Sequence, residues 1–221
     1  MNFSNLSQIQ KRLFAWGMSK ANSTENSLSL TNCTGYSTMA ELKQALLGSL
    51  QGKVLEIGPG AGSNLCFYPK DIDWIGVEPN PFMHQYIKEE ADSQGLKNIK
   101  LYKDSAEELP LEDNSIDSVV STHVLCSVNN IDRSLQEIKR ILKPGGSFIF
   151  LEHIAAESCT WERRIQDSIK PVWKVIFDNC HPNRTTWIAL ENAGFESVNY
   201  QQFRIPFPVV SPHIAGVLKK T

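Results

Sequence analysis

The sequence predicts an α/β fold: a doubly wound sheet, mostly parallel with an antiparallel last strand, carrying an N-terminal helical cap. Three observations predict it. Short apolar runs alternate with helix-period patterns between residues 53 and 152, a glycine-rich turn follows the first run, and an acidic residue closes the second. Strands that alternate with helices require right-handed crossovers and hence parallel pairing. The 221 residues suit one domain with an appendage, divided as a helical cap over 1–52 and a catalytic-sized domain over 53–221. No internal repeat is visible.

In the cap, Leu6, Ile9, Leu13 and Phe14 recur at helical spacing among Lys11 and Arg12. Residues 22–36, rich in Ser, Thr and Asn, read as a loop, and 39–50 as a second helix. The strand candidates then run over 53–57, 74–77, 99–102, 116–121 and 147–151. Helix candidates lie between them at 63–68, 80–94 and 131–142, the last closed by Lys143-Pro144-Gly145-Gly146, a helix stop and turn. Trp161, Ile165, Ile169, Val172, Trp173, Ile176 and Phe177 form a stripe that predicts a packed helix, broken or kinked at Pro171, or an apolar wall over an acceptor site. A helix over 184–194 and strands over 196–203 and 213–219 close the chain.

Composition excludes several function classes. With 41% hydrophobic and 21% charged residues and a net charge of −2, the chain is neither disordered nor a basic nucleic-acid binder. Five cysteines, at 33, 66, 126, 159 and 180, are odd in number and show no C-x-x-C pair. Spacing therefore predicts neither a disulfide framework nor a cysteine-based metal site, and Cys126 and Cys180 read as buried thiols. No run reaches the ~18 apolar residues of a membrane span, and the polar Met1–Gln10 segment lacks a secretory core, so a cytoplasmic location is expected. Membrane association through the short basic cap stripe is the less favoured reading.

The most informative segment is Val54-Leu55-Glu56-Ile57-Gly58-Pro59-Gly60-Ala61-Gly62-Ser63. A strand runs into three glycines, which permit a tight turn and close approach of backbone N–H groups to a ligand. Ser63 stands where the dinucleotide fingerprint has its third glycine, which disfavours a nicotinamide oxidoreductase. Glu78 follows Gly58 by twenty positions, at the end of the second strand. A carboxylate held there can accept both hydroxyls of a ribose. A purely structural turn is the alternative for the loop taken alone.

This segment resembles the first motif of the Rossmann-like class I S-adenosylmethionine-dependent methyltransferases, with Glu56, Gly58, Gly60 and Gly62 in register. Further motifs agree: Glu78, the Asp104–Pro110 segment, Asn114–Val120 and Leu142–Gly146. The C-terminal third resembles the animal methyltransferase-like thiol methyltransferases through Val124–Val128, Glu152–Glu157, Thr160-Trp161, Phe177-Asp178, Cys180, Arg184, Trp187, Glu191 and Pro212–Ile214. Pro59 replaces that family's usual Cys, at a position whose side chain is not a required donor. The animal proteins carry an apolar N-terminal anchor that the Met1–Gln10 segment does not match.

The resemblance implies S-adenosylmethionine as cofactor and assigns roles. Gly58, Gly60 and Gly62 line its methionine end and ribose, Glu78 takes the ribose hydroxyls, and Asp104, Ser105 and Ala106 hold adenine. Asp104 could instead cap a following helix. Thr122 and His123 follow the fourth strand, near the sulfonium. His123, Glu152 and His153 are the titratable candidates near the reacting centre, His123 and His153 being the catalytic ones; His84, His181 and His213 read as structural or surface groups. The implied reaction is methyl transfer to a small, apolar acceptor, favoured to be a thiol. A quinone, amine or phospholipid headgroup is the enzymatic alternative, and a non-catalytic S-adenosylmethionine-binding protein the other. No nucleic-acid partner is expected, and the sequence leaves the oligomeric state open.

Overall fold

The computed structural model describes residues 3–221, and the side chains of 8–20 and 24–221. Its seven strands form one sheet in the order β3-β2-β1-β4-β5-β7-β6. These are β1 Lys53–Ile57, β2 Asp73–Val77, β3 Ile99–Tyr102, β4 Ile116–Thr122, β5 Leu142–His153, β6 Ser197–Arg204 and β7 Pro212–Lys219. Only β7 runs against the rest, pairing antiparallel with both β5 and β6. The order reverses at β1, whose two neighbours are β2 and β4. In such sheets the crevice for a ligand opens at that reversal, beyond the C-terminal strand ends.

Buried on both faces, the central strands read as continuous apolar runs, and successive side chains feed opposite layers. Leu55, Ile57, Val119, Phe148 and Phe150 belong to one core. Val54, Val120 and Ile149 belong to the other. The first core is closed by α4 (Ile131–Ile141) and α6 (Thr186–Asn192), the second by α3 (Met83–Gln94). Helix α2 (Met39–Leu47) begins with a reciprocal capping box between Thr38 and Glu41.

Four expectations need correction. Helix α1 (Phe3–Asn26) continues through 22–26, where the composition reads as loop. Tertiary contact overrides propensity there: Glu25 in its last turn is 2.9 Å from the Nζ of Lys43. The Leu6 side chain lies outside the described residues, whereas Ile9, Leu13 and Trp16 of the same helix are exposed. The 63–68 helix shrinks to one 3₁₀ turn, Leu65–Phe67. The Lys143–Gly146 turn is absorbed into the start of β5, where the pairing with β4 shifts register between Ile116 and Ser118.

The fourth concerns α5 (Trp161–Ile176), which runs unbroken through Pro171 and does not bury its apolar stripe. Trp161, Val172, Val175 and Ile176 are exposed. The helix is anchored by a polar group. The amide of buried Gln166 accepts from the Ala156 N–H at 2.8 Å and donates to the Val209 carbonyl at 2.7 Å. On so open a helix, water can satisfy the carbonyl that Pro171 deprives of its N–H.

Candidate active site

At the end of β1 the chain enters the left-handed region three times, with φ of 55° at Gly58, 56° at Gly60 and 84° at Gly62. Gly58 turns the backbone sharply, its N–H donating to the Val77 carbonyl at 2.8 Å. Beneath the loop, buried Glu56 accepts from the Asn64 amide at 2.8 Å, the Tyr68 hydroxyl at 3.0 Å and the Trp74 indole at 3.2 Å. Burial pushes its carboxyl up, and these donors oppose the shift. Glu56 thus braces the loop from below.

Glu78, at the end of β2, is buried and reaches back to the same loop. Its Oε2 accepts from the Gly60 N–H at 3.2 Å and its Oε1 from the Asn80 N–H at 2.8 Å. Burial raises its carboxyl to about 7 against the pull of those two N–H groups.

The loop and Glu78 open onto a cavity of about 420 Å³ at the C-terminal strand ends. Of the residues expected there, Glu56, Gly58, Gly60, Glu78, Ser105, Ala106, Thr122 and His123 line it. Gly62, Asp104, Glu152 and His153 are not among the lining residues. No helix follows Asp104, since the chain from β3 to β4 is turns and extended segments, so a capping role is excluded. A wider groove of about 700 Å³ lies among Lys53, Asp73, Ile99 and Ser115, at the opposite, N-terminal strand ends, where such sheets do not bind their ligands.

Two further walls close the cavity, and the sequence anticipates them only as a helical cap carrying Phe14 and as the end of the 161–177 stripe at Phe177. Lys11, Phe14, Met18 and Glu25 of α1 close one side, and Phe177, Asp178 and Asn179 another. Helix α1 is tied down where Asn80 Nδ2 donates to the Lys11 carbonyl at 3.1 Å. Asp178 and Asn179 hold φ of 42° and 67°, and Asn179 Nδ2 donates to the Ser127 carbonyl at 2.6 Å. No local motif marks these contacts. The available signals are the Phe177-Asp178 pair that carries the family resemblance and the turn-forming Asp178-Asn179 dipeptide.

His123 follows β4 in a left-handed conformation, φ 57°, rare for a residue with a side chain. Its ring meets two partners. Nε2 is 3.0 Å from Nε2 of His213, and Nδ1 is 3.5 Å from Oε1 of Glu25. His213 Nδ1 is 3.1 Å from the Ser211 carbonyl, which can only accept, so this nitrogen carries the proton. His213 Nε2 must then accept, and His123 Nε2 donate. The lone pair of neutral His123 is left on Nδ1. Burial, with the charges of His153 and Lys43 in addition, holds His123 well below the ordinary histidine range. Glu152 sits behind it, accepting from the Ser121 hydroxyl at 2.6 Å, its carboxyl raised by burial to about 7.

A methyltransferase-domain model matches residues 55–150 of this chain. The human thiol S-methyltransferase TMT1A is 39% identical over 194 residues, covering 82% of this chain and 80% of that protein. This chain belongs to the S-adenosylmethionine-dependent methyltransferases. Human thiol S-methyltransferase TMT1B is likewise 39% identical, over 77% of this methyltransferase and 72% of its own length. Among solved structures, a Thermotoga maritima S-adenosylmethionine-dependent methyltransferase, described as a possible histamine N-methyltransferase, superimposes with a TM-score of 0.58. It is 25% identical and covers 82% of this chain and 86% of its own.

The methyltransferase's site fits its cofactor. A Cβ added at Gly60 would meet nothing within 4 Å, so the space above the loop is open to a ligand. Asn64, which lines the cavity, keeps a buried Oδ1 with no protein partner, an acceptor awaiting a donor. The cavity volume falls within the usual range for small-molecule sites.

Beside this cavity the methyltransferase gathers Cys126, His153 and Cys180, all buried, their ligand atoms within 4.8 Å of one another. Spacing gave no hint of this group. His153 Nε2 is 3.1 Å from Cys180 Sγ, and the Trp173 indole N–H donates to that sulfur at 3.3 Å. All five cysteines are free. No described helix is long and apolar enough to cross a membrane.

Proposed function

We infer that the methyl acceptor is a small apolar thiol and that residues 1–52 act as a cap over the reacting centre. The observation that carries the acceptor is the 39% identity, over 82% of the chain, to a human protein named as a thiol S-methyltransferase. The cavity agrees with it: Phe14, Met18, Val124, Val128 and Phe177 give it an apolar wall. The five free thiols of the chain suit a reducing compartment, and we place the protein in the cytosol.

When bound, S-adenosylmethionine supplies a methyl group already activated on a sulfonium. Glu78 would take the ribose hydroxyls on its two oxygens, and the Gly58–Gly62 backbone would hold the methionine end, with the unpartnered Asn64 Oδ1 as acceptor for its ammonium. Ser105 and Ala106 would hold the adenine. Thr122 and His123 stand at the end of β4, where the acceptor enters. The acceptor thiol would give up its proton at the cavity wall, and the resulting thiolate would receive the activated methyl group. His123 Nδ1 holds a free lone pair at the cavity wall to take the proton, with Glu25 close enough to steady the imidazolium. His153 backs this region from the buried side. Because His123 is held neutral and weakly basic, alignment rather than base strength supplies most of the rate.

Purified protein with S-adenosylmethionine, incubated with thiols, amines, phenols and phospholipid vesicles, tests this by mass-spectrometric detection of S-adenosylhomocysteine and the methylated product. Methyl thioethers are expected. Turnover of amines or phenols with no thiol converted would reject the acceptor and leave the family assignment intact.

A further inference from the structure

We propose that Cys126, His153 and Cys180 form a binding site for a thiophilic divalent cation of the zinc class. The three donors come from three separate elements: the loop after β4, the end of β5 and the turn after α5. They converge because the backbone is clasped there. The His181 N–H donates to the Cys126 carbonyl at 3.0 Å, and Arg184 Nη1 binds the Leu125 and Val128 carbonyls at 2.6 and 2.8 Å.

The chemistry and the geometry agree. Two sulfurs and one imidazole nitrogen are the donors that zinc prefers, at about 2.3 Å for sulfur and about 2.0 Å for nitrogen. Donors on a tetrahedron of those bond lengths stand roughly 3.5–3.8 Å apart. Here every pair lies within 4.8 Å and the His153–Cys180 pair at 3.1 Å, so shifts of about an ångström complete the polyhedron. The Trp173 N–H on Cys180 is the kind of outer hydrogen bond that orients a metal-bound thiolate. Three protein donors leave a fourth position for a water or another small donor, as in zinc centres that are not purely structural. The proposal stands whatever the methyl acceptor proves to be.

Two measurements on the full chain test it. The first is zinc content by plasma mass spectrometry after dialysis against micromolar zinc under reducing conditions. The second is the near-ultraviolet thiolate-to-cobalt band after loading with cobalt(II). About one equivalent per chain and a clear cobalt band are expected in the parent protein. Both should fall to less than about a tenth in Cys126→Ser/Cys180→Ser and in His153→Ala. No retained zinc and no cobalt band in the parent would overturn the proposal. So would a full equivalent persisting in the double cysteine variant, which would place the metal elsewhere. So would a Cys126–Cys180 disulfide in peptide mapping that, once reduced, still leaves a protein unable to take up cobalt.

Discussion

His123 and His213 face each other through their Nε2 atoms at 3.0 Å, and the Ser211 carbonyl decides which of them donates. Both rings are held well below the usual histidine range. Burial is the main cause at each, followed for His213 by the charges of His123 and His153. Below about 6.5 the unfolded chain protonates these histidines while the folded chain leaves them neutral. The unfolded state then binds more protons, so their contribution to stability is lost as pH falls through that value. His213→Phe removes one of these groups. Urea denaturation should find the variant less stable at pH 7 by about 1–3 kcal/mol, for the lost hydrogen bonds. That deficit should shrink at pH 5, where the parent has weakened and the variant less so. A deficit that grows toward pH 5 would mean that His213 is charged in the fold.

Glu78 titrates in the opposite sense. Its carboxyl is raised to about 7, and two ribose hydroxyls need the ionised form as acceptor. Affinity for S-adenosylmethionine should climb about tenfold per pH unit up to about 7 and level off above it. Calorimetry in two buffers of different ionisation enthalpy should show proton release at pH 6 and little at pH 8. Glu78→Gln should flatten the profile. Glu78→Ala should weaken binding about tenfold to a hundredfold, the worth of hydrogen bonds to a charged group. Unchanged affinity in Glu78→Ala would remove the residue from the site.

Gly58 and Gly60 separate fold from function. A Cβ at Gly58 would stand 2.6 Å from Val124 Cγ2, whereas at Gly60 it would meet nothing within 4 Å. Gly58→Ala should therefore cost stability through both the clash and the left-handed backbone. Gly60→Val should keep the circular dichroism and lose only about 1–2 kcal/mol to its positive φ. Its cofactor binding should be abolished, because the branched side chain occupies the ligand's space. Normal turnover by Gly60→Val would refute the cradle.

The parts of the site that were legible in the sequence are those made by consecutive residues. Gly58 and Gly60 follow the end of β1 and Glu78 that of β2, so local chain geometry alone places them on the cavity. Strand faces were legible too, since Val54 and Leu55 must part to opposite layers. What the sequence hid is long-range. Cys126, His153 and Cys180 are neighbours only because β4 lies beside β5 and the turn after α5 folds back on the loop after β4. Glu25 reaches the cavity only because α1 continues through a segment whose composition reads as loop, and Lys11 is held there by Asn80, from the distant loop after β2. The α5 stripe misled because Gln166, rather than the apolar residues, carries the anchoring contacts.

The sharpest test of the cap's part in the chemistry is Lys43→Met. Lys43 on α2 is 1% exposed, and its Nζ lies 2.9 Å from Glu25 Oε1 and 3.2 Å from Asn26 Oδ1. The same Glu25 oxygen is 3.5 Å from His123 Nδ1, so the ammonium would compete with a protonated His123 for one carboxylate. Methionine keeps the straight, apolar body of the side chain and its helix propensity, and deletes the charge. The fold should survive with a loss of about 1–3 kcal/mol for the broken pair. Two changes then push His123 the same way. A positive neighbour that lowers its pKa is gone, and the carboxylate beside Nδ1 is no longer neutralised. The His123 pKa should rise, read from the pH dependence of its ring-proton resonance. A stronger base at 123 is protonated over more of the acid range, and an imidazolium cannot take a thiol's proton. The rate at subsaturating thiol should therefore gain an acid limb that the parent lacks. Glu25→Gln should move the resonance the other way. A His123 titration that stays put or falls in Lys43→Met would show that the cap does not set the charge of the reacting centre.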